Sequence, residues 1–462
     1  MSTDEETTPD ADSDGAYDPI AALATPYAQS AVAVIRASGA RVIELVAPLF
    51  SRPEKLRDAR RYTIVHGRFH GRDGRTIDEV LVNVFRAPNS YTGEDSVEIN
   101  AHGSLPVIER ILETLYSSGF RPAEPGEFTL RAFLSGKLDL TRAEAVNEII
   151  RARSDRARSL AMNRLGGSIE RAIDSVKGRL VDILARVEIQ LDYPEEDTGE
   201  VVIPPEVIDE TIVRLESLVA TYRIGRVYQE GVRVAIAGRT NAGKSSLFNL
   251  FVREDRSIVS DVPGTTRDYI EATTIIDGVP VRLFDTAGLR VSEDTIETEG
   301  VRRSESILGT ADLVVYVVDG IKGGNADDKR RIEQISGRVP CIVAWNKIDS
   351  VDARVCPSGY IGISAETGDN VEALRASIAA RITPELGVVD GRPVIDSVRQ
   401  KDLIERALAA LRETKAGVDS GVPVDAVALD LQEAIRALGE ITGEVTTDDI
   451  LDAMFSGFCV GK

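Results

Sequence analysis

In the stretch VRVAIAGRTNAGKSS, apolar residues alternate at Val232, Val234 and Ile236 and then run into GRTNAGKS, from Gly238 to Ser245. A half-buried strand ending in G-x-x-x-x-G-K-[ST] leaves the chain few options, because the loop is built to face an anion. Glycines turn backbone N–H groups toward phosphates, Lys244 reaches the β and γ phosphates of a nucleotide, and the Ser245 hydroxyl ligates Mg²⁺. A lone match of this kind also arises by chance. Here it is followed in order by GTTRD (Gly264 to Asp268), VRLFDTAG with Asp285 and Gly288, LVVYVVD, CIVAWNKID, and ISA at Ile363 to Ala365. Strands lead into these loops, and together they imply the α/β nucleotide site of a GTPase.

Each element of that site has a physical task. Gly238, Asn241, Ala242, Gly243, Lys244, Ser245 and Ser246 form the phosphate loop. The Asp349 carboxylate can accept hydrogen bonds from the guanine amine and ring N–H together, so Asn346, Lys347 and Asp349 select GTP over ATP. Asp285 can hold the Mg²⁺ water shell, and the Gly288 N–H can report the γ-phosphate. Thr265 and Thr266 lie on the loop that orders around that phosphate, Thr266 joining Ser245 as a metal ligand. Ser364 and Ala365 would pack under the base. After DTAG comes Leu289, where Ras-type enzymes place a water-positioning glutamine. Hydrolysis needs another device.

The rest of the chain sets bounds around this block. Its 462 residues, 43% apolar, are enough for two or three domains. No window approaches 18 uncharged apolar residues, and the first 18 residues carry seven acids and no base, so residues 1–17 read as a solvated acidic tail on a cytoplasmic protein without a membrane span. Cys341, Cys356 and Cys459 are far apart and odd in number, which excludes a disulfide framework. A net charge of −20 argues against sequence-blind binding to nucleic acid or anionic lipid. RNA contact then requires a local basic face or a partner. The most basic stretch, RARSDRARSLAMNR, with Arg151, Arg153, Arg156, Arg158 and Arg164, is read either as a solvated helix face or as such a contact.

Periodicity outlines the organisation. Residues 18–135 alternate short strands (SAVAVIRAS, VLVNVFRA, SVEINAHG) with the helix LPVIERILETLYSSG, an α/β unit. From Ile169 to Leu191 apolar residues step by three and four, predicting a long amphipathic helix that ends at LDYPEED. The same step recurs from Leu403 to Leu411 and from Val424 to Leu438. Residues 136–228 and 385–462 are therefore expected to form one discontinuous helical domain, with the GTPase domain, residues 229–384, inserted into it.

At this point the chain resembles the MnmE (TrmE) family of tRNA-modification GTPases over nearly everything after the acidic tail. The resemblance is carried by APNSYTGEDSVEINAHGS, by PGEFTLRAFLSGKLDLTRAEAV, by LDYPEED and DTAGLR in family order, and by the closing FCVGK. It implies a multidomain protein: an N-terminal α/β tetrahydrofolate-binding and dimerisation domain, a discontinuous helical domain and a Ras-like P-loop GTPase domain. It implies a homodimer that acts with the MnmG flavoprotein, which carries FAD and NADH, in a heterotetramer. Together they place a carboxymethylaminomethyl-type group on the wobble uridine of certain tRNAs, with a 5-formyl or 5,10-methylene tetrahydrofolate as donor. The alternative is a ribosome-assembly or signalling GTPase without tRNA chemistry. No KH-like GXXG domain or second GTPase supports that reading.

By position, the resemblance implies folate contacts at Arg36, Glu98, Lys137 and Lys462. The segment ATPYAQSAVAV departs from the family, with Ala28, Gln29 and Ser30 where Gly and Arg are typical. It implies a potassium ion in place of an arginine finger, ligated by Asn241, Ser260, Val262 and Thr265, and a water-activating acid at Glu297. Asn241 has the alternative of only capping the phosphate loop. Cys459 has three readings. A C-a-a-X lipid site fits poorly, since Gly461 is not aliphatic and no polybasic run precedes it. The others are a buried structural thiol and, from the resemblance, a reactive thiol or acid/base group beside the folate.

Overall fold

The computed structural model describes residues 18–192, 203–254, 271–285, 309–350, 352, 354–382 and 391–462. The chain divides into two compact units. The residues up to Asn147 cluster with Gly439–Lys462, and Glu148–Leu438 form the second unit. The last 24 residues thus leave the second helical segment expected from periodicity and join the N-terminal part.

The first unit is built on a six-stranded sheet of β1 (Ile20–Leu23), β2 (Ser30–Ser38), β3 (Thr63–His70), β4 (Thr76–Phe85), β5 (Ser96–Gly103) and β6 (Arg121–Pro122). Their order is β3-β4-β5-β2-β1-β6, antiparallel throughout except for the parallel β1–β6 pair. Alternate residues of β3 are buried and exposed, as expected of a sheet covered on one side. Under that side lie Ile35, Val82, Val84 and Ile99, packed with Ile111 and Leu115 of the helix Leu105–Tyr116. The three- and four-residue steps of that helix's apolar residues put one face on the sheet. A smaller cluster joins Leu140 and Ala143 to Leu451, Phe455 and Phe458, which fastens the C-terminal helix Asp448–Phe455 inside this unit.

The second unit holds another six-stranded sheet, of β7 (Val232–Gly238), β8 (Glu271–Ile276), β9 (Val279–Asp285), β10 (Leu313–Asp319), β11 (Cys341–Asn346) and β12 (Ile361–Ile363). The order is β12-β11-β10-β7-β9-β8, with only the β8–β9 pair antiparallel. Helices pack on both faces, so LVVYVVD is buried almost end to end, as a central parallel strand should be. Ligands of such sheets bind at the carboxyl ends of the strands.

The helical part of this unit contains Ser168–Asp192, whose Ile169, Ile173, Val176, Leu180, Ile183 and Val187 are buried with the expected step. The helices Pro205–Ala220 and Tyr222–Glu230 were not legible as separate elements. The first packs along Val398–Asp419, from beyond the nucleotide sheet, with an Arg412–Glu216 ion pair of 2.7 Å across the contact. Segments on either side of the inserted sheet therefore share one helical layer.

Candidate functional site

The nucleotide loop begins where β7 ends. Gly238, Asn241 and Gly243 have φ of 140°, 64° and 100°, and the helix Lys244–Glu254 follows at once. Positive φ turns successive N–H groups to one side, and the helix N-terminus adds its own unpaired donors, so the loop is a cradle for an anion. Lys244 is almost fully buried and its Nζ donates to the Arg239 carbonyl at 2.7 Å, across the loop. The Ser245 hydroxyl donates to Asp285 Oδ2 at 2.8 Å. The end of β9 and the loop after β7 thus bring together a hydroxyl and a carboxylate suited to a divalent cation and its waters.

The guanine-side residues divide into two roles. Asn346 is only 2% exposed: its Nδ2 donates to the Ala242 carbonyl and its Oδ1 accepts from the Ala365 N–H, both at 2.8 Å. It ties the end of β11 to the phosphate loop and to the ISA loop. Lys347, at φ 70°, donates to the Asn241 carbonyl at 3.0 Å and to Asp319 Oδ2 at 2.7 Å. Burial alone would raise the Asp319 pKa, but hydrogen bonds from Lys347 and from the Lys322 and Ile321 N–H groups hold it below the usual carboxylate range. Asp349 is exposed and open to a base edge. Ser364 is buried, its hydroxyl accepting from the Glu366 and Thr367 N–H groups at 3.3 and 3.1 Å. Asp319 was missed in the sequence; an acid closing a buried parallel strand was the available signal. Ser260, Val262, Thr265, Thr266, Gly288 and Glu297 lie outside the described residues.

A second cluster forms in the first unit from both ends of the chain. Arg36 on β2 pairs with Glu98 on β5, its Nη2 and Nε 2.9 and 3.1 Å from Oε1, and its Nη1 donates to the Gly461 carbonyl at 3.1 Å. The guanidinium lies 5.7 Å from the ring centres of both Tyr91 and Phe128. Lys462 is brought to the same place, where burial and the charge of Arg36 push its pKa down. The final turn is held by the Gly126 N–H on the Cys459 carbonyl at 3.3 Å and by a bridge between Pro125 and Val460. Gly126 is required there, since a Cβ would meet the Phe455 carbonyl at 2.8 Å.

The Cys459 side chain is exposed, which removes the reading of a buried structural thiol. Lys137 sits on a different turn, over Gly93, and among the described residues no hydrogen bond joins it to Arg36, Glu98 or Lys462. Behind the cluster, Arg131 is buried between Glu94 and Glu127 at 3.2 and 2.9 Å, and Arg121 also meets Glu127. That network fixes the loop bearing Tyr91 through Ser38 and Thr92, whose hydroxyls are 2.6 Å apart. Tyr91 and Phe128 were quoted as parts of motifs but not as site residues.

Residues 140–459 and residues 19–137 each match a known family. The family model "MnmE helical domain" matches residues 140–459, and "GTP-binding protein TrmE N-terminus" matches residues 19–137. The tRNA modification GTPase MnmE of Carboxydothermus hydrogenoformans is 41% identical over 96% of this chain and 99% of the relative. The chain belongs to the MnmE family of tRNA modification GTPases. Other relatives of that name are those of Borrelia recurrentis, 42% identical over 96% of this chain and 98% of the relative, and Treponema denticola, 41% identical over the same shares. The solved G domain of the T. maritima FeoB iron transporter is 25% identical over 32% of this chain and 98% of its own, with a TM-score of 0.26.

Within this MnmE-family chain, Arg164 of the arginine-rich stretch is buried, while Arg151, Arg153, Arg156 and Arg158 are exposed. Arg153 donates to the Thr273 hydroxyl of β8 at 2.8 Å, and Arg156 to the Tyr228 hydroxyl at 2.9 Å. Arg164 is buried between Glu148 and Asp396, at 2.6 and 2.5 Å. The reading of a solvated helix face therefore holds for Arg153 and Arg156, each with a hydroxyl partner, and fails for the buried Arg164.

Proposed function

We propose that this tRNA-modification GTPase is stimulated by potassium and works as a homodimer with the MnmG flavoprotein and its FAD and NADH in a cytoplasmic heterotetramer. Its product is a carboxymethylaminomethyl-type group on the wobble uridine of certain tRNAs, with a tetrahydrofolate derivative supplying the carbon. The observation that carries this reading is the Arg36 cluster: two cations, Arg36 and Lys462, and two rings, Tyr91 and Phe128, gathered around Glu98 in one unit. Such a set suits a flat heteroaromatic ligand with an acidic tail. Lys137 contributes from the rim, and the exposed Cys459 thiol is the candidate reactive group. The open sheet face beside the cluster, with exposed Leu81 in register with Asn100, is the surface offered to a second copy. Among the described residues no helix is long and apolar enough to cross a membrane.

In the nucleotide unit, the phosphate loop binds GTP through its N–H groups and Lys244. Ser245 and Thr266 would hold Mg²⁺, and Asn241, Ser260, Val262 and Thr265 would hold K⁺. Asn241 is exposed at the loop's left-handed bend, with its carbonyl already fixed by Lys347, which leaves its side chain for an ion. Bound there, the two ions supply neutralisation of charge developing between the β and γ phosphates. Glu297 orients the attacking water. Turnover measured in potassium and in sodium at equal ionic strength tests the ion: equal rates sink it, and Asn241→Ala should abolish any difference. Glu297→Ala should cost about 2 to 4 kcal/mol, roughly 30- to 1000-fold in kcat. GDP affinity should stay within about threefold, because the contact is made mainly in the transition state. Mass spectrometry of tRNA from a deletion strain carrying each variant then tests whether hydrolysis drives the modification; normal modification with slow hydrolysis would uncouple them.

A further inference from the structure

Arg164 is buried between acids, and the exposed Arg153, Arg156 and Arg158 are engaged by Thr273, Tyr228 and Asp155, so a group of exposed cations without such partners is sought elsewhere on this chain of net charge −20. It is concentrated between Arg52 and Arg68, where six Arg or Lys residues stand against two acids. The short helix Pro53–Arg57 and the turn into β3 gather Arg52, Lys55, Asp58, Arg60, Ile64 and His66 around an open cavity of about 590 Å³. Glu54 is taken by Arg57 at 2.6 Å, and His66 faces Glu79 at 3.0 Å. Among the described residues Arg52, Lys55 and Arg60 make no ion pair, and Arg61 only donates to the Asn89 side chain at 3.2 Å. Among the described residues that line the cavity, Asp58 is the acid beside them.

A ring stands beside this charge. Tyr62 is 67% exposed, its backbone at φ 59° and its ring edge-on to Phe85 at 6.1 Å between centres. A bulky residue held in the left-handed region is uncommon, and such positions cluster at ligand clamps. Unpaired cations that track a backbone and an exposed ring that stacks a base are the two components of single-stranded nucleic-acid grooves. The overall negative charge opposes spreading on an anionic bilayer, whereas a concave local patch can still neutralise a few phosphates of one polyanion.

We propose that this cavity anchors the tRNA, with Arg52, Lys55 and Arg60 on its phosphates and Tyr62 stacked on an unpaired base; the proposal rests on the tRNA reading above. The test is equilibrium binding of fluorescently labelled bulk tRNA to the full chain across a potassium chloride series. The wild type binds with a salt-dependent affinity. Arg52→Glu/Lys55→Glu/Arg60→Glu should weaken binding at least tenfold and flatten the slope of log K against log salt by roughly two to three. Tyr62→Ala should weaken binding several-fold and leave the slope alone, because stacking releases no counterions. Circular dichroism checks folding, and Lys55→Gln/Arg60→Gln, with a slope change of roughly one to two, replaces the triple variant if that one does not fold. Unchanged affinity and slope in these variants overturn the surface alone. A wild type that holds no tRNA overturns both the surface and the substrate reading. Wild-type sedimentation with phosphatidylserine vesicles, lost in the triple variant while tRNA binding persists, assigns the patch to a membrane and overturns the proposal.

Discussion

A single missing Cβ decides the nucleotide loop. At Gly243 a Cβ would lie 2.0 Å from Asn346 Nδ2, on a backbone at φ 100°. Alanine there must push aside the side chain that holds both the Ala242 carbonyl and the Ala365 N–H. Gly243→Ala is expected to weaken GDP binding at least about tenfold, since a displaced buried amide leaves partners unpaired at about 1–3 kcal/mol. Titration with fluorescent GDP measures this, and an affinity near the wild type would show that the loop yields cheaply. The glycine and lysine of this loop were legible because their chemistry is local. The work of Asn346 was not: NKID reads as base recognition, and only the neighbouring strand ends show that its amide is consumed inside the protein.

Among the elements, the helix Asp155–Leu165 is the most constrained by charge. Its Arg164 stands between Glu148, from the preceding helix, and Asp396, from the segment entering Val398–Asp419. Replacing it with Met would leave two buried acids without that guanidinium, a change expected to cost about 3–5 kcal/mol. Urea unfolding of Arg164→Met measures the loss. Arg164→Met/Glu148→Leu/Asp396→Leu should return most of it, because removing all the charges removes the desolvation penalty as well. A single variant as stable as the wild type would mean that water reaches the acids. Near the start of the same helix, Gly278 of the β8–β9 turn packs on Arg156, whose Cδ would lie 3.0 Å from an added Cβ. Periodicity announced a helical region here but not that Arg164 faces inward, since charge in a sequence is read as solvated until a partner far along the chain is placed beside it.

For the molecule as a whole, the return of the C-terminus is the largest organising step. Arg36 and Gly461 are 425 residues apart and share a hydrogen bond. Ending the chain after Val460 removes the Gly461 carbonyl and Lys462 from the Arg36 cluster while keeping Phe455 and Phe458 in their own packing. Tetrahydrofolate affinity, measured by calorimetry, should fall at least about tenfold with the loss of one charged contact and one carbonyl. Unchanged affinity would place the folate elsewhere. The sequence by itself determined the nucleotide loop, the order of the strands that feed it, the amphipathic helices and the family, because period-two and period-3.6 patterns and short motifs encode local geometry and local chemistry. Tertiary structure alone decided which cations are buried as partners, Arg131 and Arg164, and which stay open, Arg52 and Arg60. It also decided that the last 24 residues belong with the first sheet rather than with the helices before them. The physical reason is the same in both cases: a side chain's charge and apolarity are fixed by the residue, but whether they are satisfied depends on contacts between segments whose distance along the chain carries no periodic signal.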